Sequence, residues 1–259
     1  MPRPSLPPEF LSRPITHRAL HGQHDACPEN SRAAIRAAID AGYGIEIDLQ
    51  LSADGRAMVF HDDTLDRLTR QTGPTRSRSA ADLGSVVLNK SDGEGIPTFA
   101  EVLDIVAGQV PLLVEIKDQD GAMGPGGVGP LEAAAVADLR GYEGPVALMS
   151  FNPHSMAEVA RLAPDLPRGL TTSSFDPAVW TSLSAERCNE LREIPDFDRV
   201  RACFISHQAS DVLRDRVREL RAAGVPVLSW TIRSPDEEAT VRQGADNVTF
   251  EGYLSPLPA

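Results

Sequence analysis

The chain has 259 residues, of which 41% are hydrophobic and 24% charged, and its formal net charge is −12. This composition suits a globular protein with a sizeable core, and the length suits one α/β barrel domain. The negative charge argues against nucleic acid or an anionic membrane as the main partner, because both favour basic surfaces. A phosphate-bearing substrate would therefore need local cations or a metal ion.

The cysteines and the chain start indicate a cellular location. Cys27, Cys188 and Cys203 show no metal-ligand spacing, and we interpret them as thiols of a reducing cytosol. The proline-rich start has no apolar segment of the signal-peptide kind, and no apolar run reaches the length of a membrane span. We therefore expect a cytoplasmic protein without stable membrane anchoring.

The first elements in chain order are an arm, a strand and a helix. Residues 1–13 carry four prolines and predict an irregular arm. The strand is predicted over 14–18. Pro28-Glu29-Asn30-Ser31 then begins an alanine-rich helix that runs to Ala41, because it supplies capping residues at the right place.

The second strand, predicted over 44–51, carries polar residues among apolar ones. Side chains alternate in direction along a strand, so Glu46, Asp48 and Gln50 share one face. Taken alone, this is equally typical of a strand face exposed to solvent. The pattern becomes informative only together with the residues that follow.

A hairpin is predicted directly after this strand. Asp54-Gly55 favours a two-residue turn, since both residues tolerate positive φ angles. That turn would place His61 opposite Asp48 and Asp63 opposite Glu46, at cross-strand distances of about 5 Å. A three-residue loop would shift this register.

The rest of the chain alternates strands and helices. Residues 64–95 are polar and weakly periodic and are interpreted as an insertion or long loop, and Gly121–Pro130 as a flexible glycine-rich loop. Without the returning hairpin strand, the predicted strands are 14–18, 44–51, 111–117, 145–151, 168–172, 202–207, 226–231 and 246–251. The predicted later helices are 99–107, 131–140, 153–162, 184–193, 210–223 and 235–243. This pattern favours a (β/α)₈ barrel. An open doubly wound sheet is the alternative, but no Gly-x-Gly-x-x-Gly follows the first strand.

Barrel enzymes carry their chemistry at the C-terminal ends of the strands. Glu46 and Asp48 lie late in the second strand, and Glu115 lies at the end of the third. Three carboxylates offer only oxygen ligands, which selects Mg²⁺ or Ca²⁺ over zinc. The polar end of the third strand makes the solvent-exposed interpretation of Glu46 and Asp48 weaker, because buried carboxylates need a cationic partner.

Two histidines and two cations accompany these carboxylates. His17 and His61 are candidates for general acid and general base, since imidazole titrates near neutral pH. Arg18 and Lys117 could hold a phosphate group. The other histidines lack such neighbours, and we interpret them as loop or helix-start residues (His21, His24 and His154) and as a candidate rim contact (His207).

These residues resemble the motifs of the glycerophosphodiester phosphodiesterase family, and the likeness spans nearly the whole chain. The motifs are His17-Arg18, Pro28-Glu29-Asn30-Ser31, Ile45-Glu46-Ile47-Asp48, Asp54-Gly55, Val59-Phe60-His61-Asp62, Ile96-Pro97-Thr98-Phe99, Glu115-Ile116-Lys117, Trp230-Thr231 and Gly244-Ala245-Asp246. The resemblance implies a metal-dependent phosphodiesterase on a single TIM-barrel domain over 1–259, with an insertion at about 53–95.

The resemblance also implies roles for individual residues. Glu46, Asp48 and Glu115 would bind one divalent cation, Mg²⁺ or Ca²⁺, and His17 and His61 would be the acid–base pair. Arg18 and Lys117 would contact phosphate, and Phe151 and Trp230 would line the pocket for the alcohol groups; both aromatics are otherwise ordinary core residues.

Three features depart from the family pattern. Ala19 stands where glycine is usual, and Glu251 stands where aspartate is usual, with an atypical Asn247 before it. The loop 19–27 is longer than usual and contains extra histidines. None of these features touches the implied metal ligands, so they bear on the substrate more than on the activity.

The sequence therefore predicts hydrolysis of a glycerophosphodiester to glycerol 3-phosphate and an alcohol, as part of lipid and glycerol metabolism. The partner is a small-molecule diester and not nucleic acid. The nucleophile is either water or a substrate hydroxyl that gives a cyclic intermediate. The alternatives are a lysophospholipase D-like activity on lipid diesters and a non-catalytic protein that binds phosphate ligands.

Overall fold

Eight parallel strands close into a barrel, surrounded by helices. The structure is a computed structural model that describes residues 3–22 and 26–258, so His24 lies outside the described residues. The strands are β1 (Ile15–Thr16), β2 (Gly44–Leu51), β3 (Ala57–Val59), β4 (Leu112–Ile116), β5 (Val146–Ser150), β6 (Arg168–Thr172), β7 (Phe204–Gln208), β8 (Val227–Ile232) and β9 (Asn247–Phe250). β3 is the antiparallel hairpin strand outside the barrel, and β1 closes the barrel by pairing with both β2 and β9.

The helices are α1 (Glu9–Ser12), α2 (Arg32–Asp40), α3 (Ala80–Ser85), α4 (Phe99–Val106), α5 (Pro130–Asp138), α6 (Pro153–Leu162), α7 (Ala185–Arg192), α8 (Asp215–Ala222) and α9 (Pro235–Val241). Short 3₁₀ turns lie at Thr75–Ser77 and Ala209–Asp211. In the described part of the chain, no helix is long and apolar enough to cross a membrane. The predicted barrel, with its alternating strands and helices, is confirmed.

The helix starts follow their capping residues, which is why they could be located from the sequence. The Ser31 hydroxyl accepts a hydrogen bond from the Ala34 amide at the start of α2. At the start of α4, Thr98 and Glu101 form a reciprocal capping box. These caps fix the entry of each helix, and therefore the end of the loop before it.

The predicted hairpin register is wrong by one residue. Leu49 pairs with Val59, and the Phe60 amide donates to the Asp48 carbonyl, so Phe60 takes the place predicted for His61. The cause is a three-residue turn, closed by a hydrogen bond from the Ser52 amide to the Arg56 carbonyl at 2.9 Å. Asp63 consequently does not face Glu46, and His61 lies beyond the end of the paired segment.

The segment predicted as an insertion or long loop contains α3, the Thr75–Ser77 turn and a small hydrophobic core. Its apolar residues are scattered without helical or strand periodicity, which is why the sequence pattern gave no element there. The buried residues are Met58, Phe60, Leu65, Leu83, Val86, Leu88 and Ile96. This core holds the segment after His61 firmly against the barrel.

The proline-rich arm is also more ordered than predicted. It forms the short helix α1, and Phe10 from this helix is fully buried in the cluster inside the barrel. Asn247 explains the attachment, because its side-chain amide donates to the carbonyls of Phe10 at 2.7 Å and Arg13 at 2.6 Å. The atypical Asn247 therefore fastens the arm and takes no part in the barrel mouth.

Gly169 is a position where the barrel interior leaves no room for a side chain. A Cβ atom there would lie 2.5 Å from the ring of Phe204 on the neighbouring strand. We expect Gly169→Ala to lower the free energy of unfolding by about 1–3 kcal/mol, because overpacking forces neighbours out of place. Chemical denaturation checks this against Gly124→Ala, where no heavy atom lies within 4 Å of the added Cβ. Equal midpoints for the two variants would contradict the packing argument.

Candidate active site

A cluster of three carboxylates lies at the mouth of the barrel. Glu46 and Asp48 come from β2, and Glu115 lies beside Asp48 on the neighbouring strand β4. All three residues are buried, and one oxygen from each lies within 4.8 Å of the others. The structure therefore brings together the three predicted metal ligands, and Glu46 and Asp48 do not form a solvent-exposed face.

The cluster carries more negative charge than its neighbours neutralise. The Lys117 ammonium lies 2.7 Å from both Asp48 Oδ1 and Glu115 Oε1. The pKa of Asp48 lies well below its usual range. Burial alone would raise it, but the charges of Lys117, His61 and Arg18 outweigh burial. Burial and the charges of Asp48 and Glu115 raise the pKa of Glu46 well above its usual value. Such a cluster favours an added cation.

His17, at the end of β1, is held by a carboxylate. Its Nδ1 atom lies 2.6 Å from Glu251 Oε2, and Arg233 binds the other oxygen of Glu251 at 2.7 Å. The hydrogen bond from His17 lowers the pKa of Glu251, so this carboxylate accepts a proton-bearing Nδ1. Burial lowers the pKa of His17 despite Glu251. The neutral ring then presents an unprotonated Nε2.

His61 has an equivalent partner. Its Nδ1 atom lies 2.6 Å from Asp62 Oδ1, and Arg67 binds both oxygens of Asp62 at 2.7 and 2.8 Å. Arg67 also binds both oxygens of Glu29, which in turn accepts from Arg18 at 2.8 Å. Continuous hydrogen bonds thus join His61 to Arg18.

Arg67 is a site residue that the sequence reasoning missed. It lies in the segment after His61, where no motif marked it. The available signal was its charge close to the His61-Asp62 pair. Glu251 was noted only as a departure from the family pattern, and its contact with His17 depends on the closure of β9 against β1.

The turn after β1 directs the Arg18 amide at the carboxylate cluster. Arg18 and Ala19 both have positive φ angles, 53° and 64°. The Arg18 amide donates to Glu46 Oε2 at 2.8 Å, and the Ala19 amide donates to the Glu46 carbonyl at 2.9 Å. The positive φ explains why glycine would suit position 19, since a Cβ atom is disfavoured there.

Phe151 and Trp230 lie together on the other side of the mouth. Their ring centroids are 5.4 Å apart and nearly perpendicular. Trp180 packs 5.1 Å from Phe151 and 5.0 Å from Phe175, so the loop after β6 completes an aromatic wall. The sequence reasoning missed Trp180 and Phe175, because no motif surrounds either residue.

A cleft of about 470 Å³ opens beside Lys117 and His61. Gln50 lines it, and the side chain of Gln50 is fixed by a hydrogen bond to the His61 carbonyl at 3.1 Å. Arg76 brings a further positive charge to the same cleft. This space is large enough for a small phosphodiester.

Two interpretations of the remaining histidines need correction. His207 is not a rim contact: it is fully buried in the barrel wall, with Nδ1 2.7 Å from Thr172 Oγ1 and Nε2 3.3 Å from Asp211. His21 does have a carboxylate neighbour, since Nε2 lies 3.6 Å from Glu251 Oε2. His154 lies in the first turn of α6, as predicted.

His207 gives a prediction on stability. Burial lowers its pKa from 6.5 to about 4, although Asp211 acts in the opposite direction. Between pH 6.5 and about pH 4, His207 is protonated in the unfolded chain but not in the folded chain. Lowering the pH through this range therefore reduces the free energy of unfolding, by up to about 3 kcal/mol. We expect urea denaturation at pH 7 and pH 4.5 to show a smaller loss for His207→Asn than for the wild type. Parallel losses would contradict this.

The fold and the site together define a TIM barrel with carboxylates, histidines and cations gathered at its mouth, where barrel enzymes carry their active sites. The model of the glycerophosphoryl diester phosphodiesterase family matches residues 17–249. A glycerophosphodiester phosphodiesterase from Caldanaerobacter subterraneus subsp. tengcongensis is 29% identical over 241 residues, covering 90% of this chain and 91% of that protein.

Solved structures give the same result. A phosphodiesterase from Oleispira antarctica, in complex with the product sn-glycerol-3-phosphate, has a TM-score of 0.74 at 28% identity and covers 93% of both chains. A putative glycerophosphoryl diester phosphodiesterase from Agrobacterium tumefaciens has a TM-score of 0.75 at 21% identity, covers 92% of this chain and 93% of that one, and supports the fold alone. The chain belongs to the glycerophosphoryl diester phosphodiesterase family. The resemblance drawn from its motifs and the assignment as a phosphodiesterase enzyme are confirmed.

Proposed function

We propose that this enzyme hydrolyses glycerophosphodiesters to glycerol 3-phosphate and an alcohol, with the help of one divalent cation. The observation that carries the proposal is the pair of histidines, His17 and His61, each held at Nδ1 by a carboxylate beside the acidic cluster. The product complex of the Oleispira antarctica relative supports the choice of substrate.

The residues of the cluster fit a hard divalent cation. Glu46, Asp48 and Glu115 would hold it, since they offer oxygen ligands only and their oxygens already lie within 4.8 Å of one another. The Glu46 side chain accepts a hydrogen bond from the Arg18 amide, and burial, together with the charges of Asp48 and Glu115, raises its pKa well above the usual value. A bound cation would favour its ionised form. A bound Mg²⁺ or Ca²⁺ would supply electrostatic stabilisation for a phosphate group.

The two histidines would divide the proton transfers between them. We assign His17 as the general base, because burial lowers its pKa and Glu251 holds its proton on Nδ1. His61 would then protonate the leaving oxygen, with Asp62 fixing the ring orientation. The base takes its proton from water or from the substrate hydroxyl next to the phosphate.

Cations and aromatic rings would position the substrate. Lys117 and Arg18 would contact phosphate oxygens, Lys117 as a point charge and Arg18 as a planar fork. Phe151 and Trp230 would contact the alcohol groups, with Trp180 extending the wall. Such a substrate would place the enzyme in lipid and glycerol metabolism, and the three free cysteines suit the reducing cytoplasm.

Direct assay of the purified enzyme tests this proposal. Protein stripped of metal with a chelator is incubated with glycerophosphocholine, glycerophosphoethanolamine or glycerophosphoglycerol, with or without Mg²⁺ or Ca²⁺. We expect glycerol 3-phosphate and the matching alcohol only when the ion is present. The absence of product from all three substrates with either ion would contradict the proposal.

A lysophospholipase D-like activity is the second candidate. Val179, beside Trp180 in the loop after β6, is 75% exposed, and its apolar side chain would be available to contact an acyl chain. A higher kcat/KM for lysophosphatidylcholine than for glycerophosphocholine would select this candidate. Tight binding of glycerol 3-phosphate in a calorimetric titration without turnover of either substrate would instead select a non-catalytic binding protein.

A further inference from the structure

A second group of possible metal ligands lies apart from the three-carboxylate cluster. His17, His21 and Glu251 each place one ligand atom within 4.8 Å of the others, and all three are partly buried. His21 and Glu251 are among the features that depart from the family pattern. The proposed hydrolysis gives no role to His21.

The geometry of this group is close to that of a bound transition-metal ion. Glu251 Oε2 lies 2.6 Å from His17 Nδ1 and 3.6 Å from His21 Nε2. Tetrahedral zinc, with ligand bonds of about 2.0–2.1 Å, separates its ligand atoms by about 3.3 Å. The two separations that involve Glu251 therefore differ from this value by less than about 1 Å, and the two histidine nitrogens lie within 4.8 Å of each other.

One possible ligand atom of the group, His21 Nε2, makes no hydrogen bond to the described residues. This atom is buried, and Glu251 Oε2, 3.6 Å away, lies beyond hydrogen-bond distance. Burying a polar atom without a partner is costly, so a ligand for that atom would recover free energy. This atom faces Glu251, where the ion would bind.

The donor set selects a different class of ion from the acidic cluster. Two imidazole nitrogens and one carboxylate oxygen are typical of zinc sites, whereas Mg²⁺ and Ca²⁺ prefer oxygen ligands alone. Arg233 binds Oε1 of Glu251 and leaves Oε2 for the ion, as outer partners of metal-binding carboxylates do. A cavity of about 360 Å³, lined by His21, Gly22, Arg233, Glu251 and Gly252, gives access to the group.

We propose that His17, His21 and Glu251 form an inhibitory site for Zn²⁺. The ion takes Nδ1 of His17, so the single proton of the neutral imidazole moves to Nε2. A protonated Nε2 cannot accept a proton, and His17 then no longer acts as a base. The inhibitory consequence rests on the proposed hydrolysis, whereas the binding of Zn²⁺ does not.

Calorimetric titration with Zn²⁺ alone as the probe tests the site. Protein held in excess Mg²⁺, which occupies the acidic cluster, is compared with His21→Ala and with the matched control His154→Ala. We expect His21→Ala to weaken zinc binding about tenfold or more, and His154→Ala to bind zinc like the wild type. The variant Glu46→Gln, altered in the acidic cluster, is expected to keep the site. Equal affinity of wild type and His21→Ala for zinc would overturn the proposal.

Inhibition is measured in the same buffer. His21→Ala is expected to retain its activity in the absence of zinc and to need about tenfold or more zinc for half inhibition. Equal zinc sensitivity of His21→Ala and the wild type would overturn the inhibitory role. If no variant hydrolyses any glycerophosphodiester, yet zinc binding still depends on His21, the proposed hydrolysis fails and the zinc site stands.

Discussion

The His61→Ala enzyme is expected to hydrolyse glycerophosphocholine about 10²- to 10⁴-fold more slowly than the wild type, because the leaving choline oxygen loses its proton donor. Choline is a poor leaving group without protonation. The loss is expected in kcat more than in KM, since His61 is assigned to the reaction and not to holding the phosphate. Steady-state release of choline measures both constants.

The leaving group provides the control. A substrate that releases 4-nitrophenolate needs little protonation, so His61→Ala is expected to recover most of its activity on glycerophospho-4-nitrophenol. His17→Ala is expected to lose activity on both substrates, because a base is needed whatever group departs. Recovery by His17→Ala instead would reverse the two assignments. Equal losses by both variants on both substrates would contradict a division between acid and base.

The barrel was predictable because its strand ends and helix starts are marked by residues that are adjacent in the sequence. The apolar run before Glu115 ends abruptly in charged residues, which marks both a buried strand and a polar barrel mouth. The caps of α2 and α4 likewise lie in the sequence next to the helices they start. The three carboxylates follow directly, since parallel neighbouring strands place their C-terminal ends side by side.

Contacts between distant segments were not predictable in the same way. The register of the hairpin depends on whether its turn has two or three residues, and Asp54-Gly55 is compatible with both. Arg67 reaches Asp62 and Glu29 only because a small core folds the segment after His61 against the barrel. Glu251 meets His17 only because β9 closes on β1.

The Glu46→Gln variant is expected to lose metal-dependent activity without losing stability in the metal-free form. Burial and the charges of Asp48 and Glu115 raise the pKa of Glu46, so its ionised form costs folding free energy at neutral pH. Glutamine keeps the size of the side chain, and its amide oxygen can still accept the hydrogen bond from the Arg18 amide. In the absence of metal, the variant should therefore unfold at the same temperature as the wild type or a higher one.

With Mg²⁺ added, the wild type should be more stable than Glu46→Gln. The wild type is expected to gain about 2.7 kcal/mol at a Mg²⁺ concentration one hundred times its dissociation constant, whereas Glu46→Gln gains less because one ligand oxygen has lost its charge. Thermal unfolding with and without Mg²⁺ measures both effects. Glu132→Gln is the matched control, since Glu132 is equally buried but caps α5 away from the cluster. Mg²⁺ stabilisation that persists in Glu46→Gln and disappears in Glu132→Gln would place the ion elsewhere.

Any stability advantage of metal-free Glu46→Gln should also shrink at lower pH, because the folded wild type takes up its proton on Glu46 at a higher pH than the unfolded chain does.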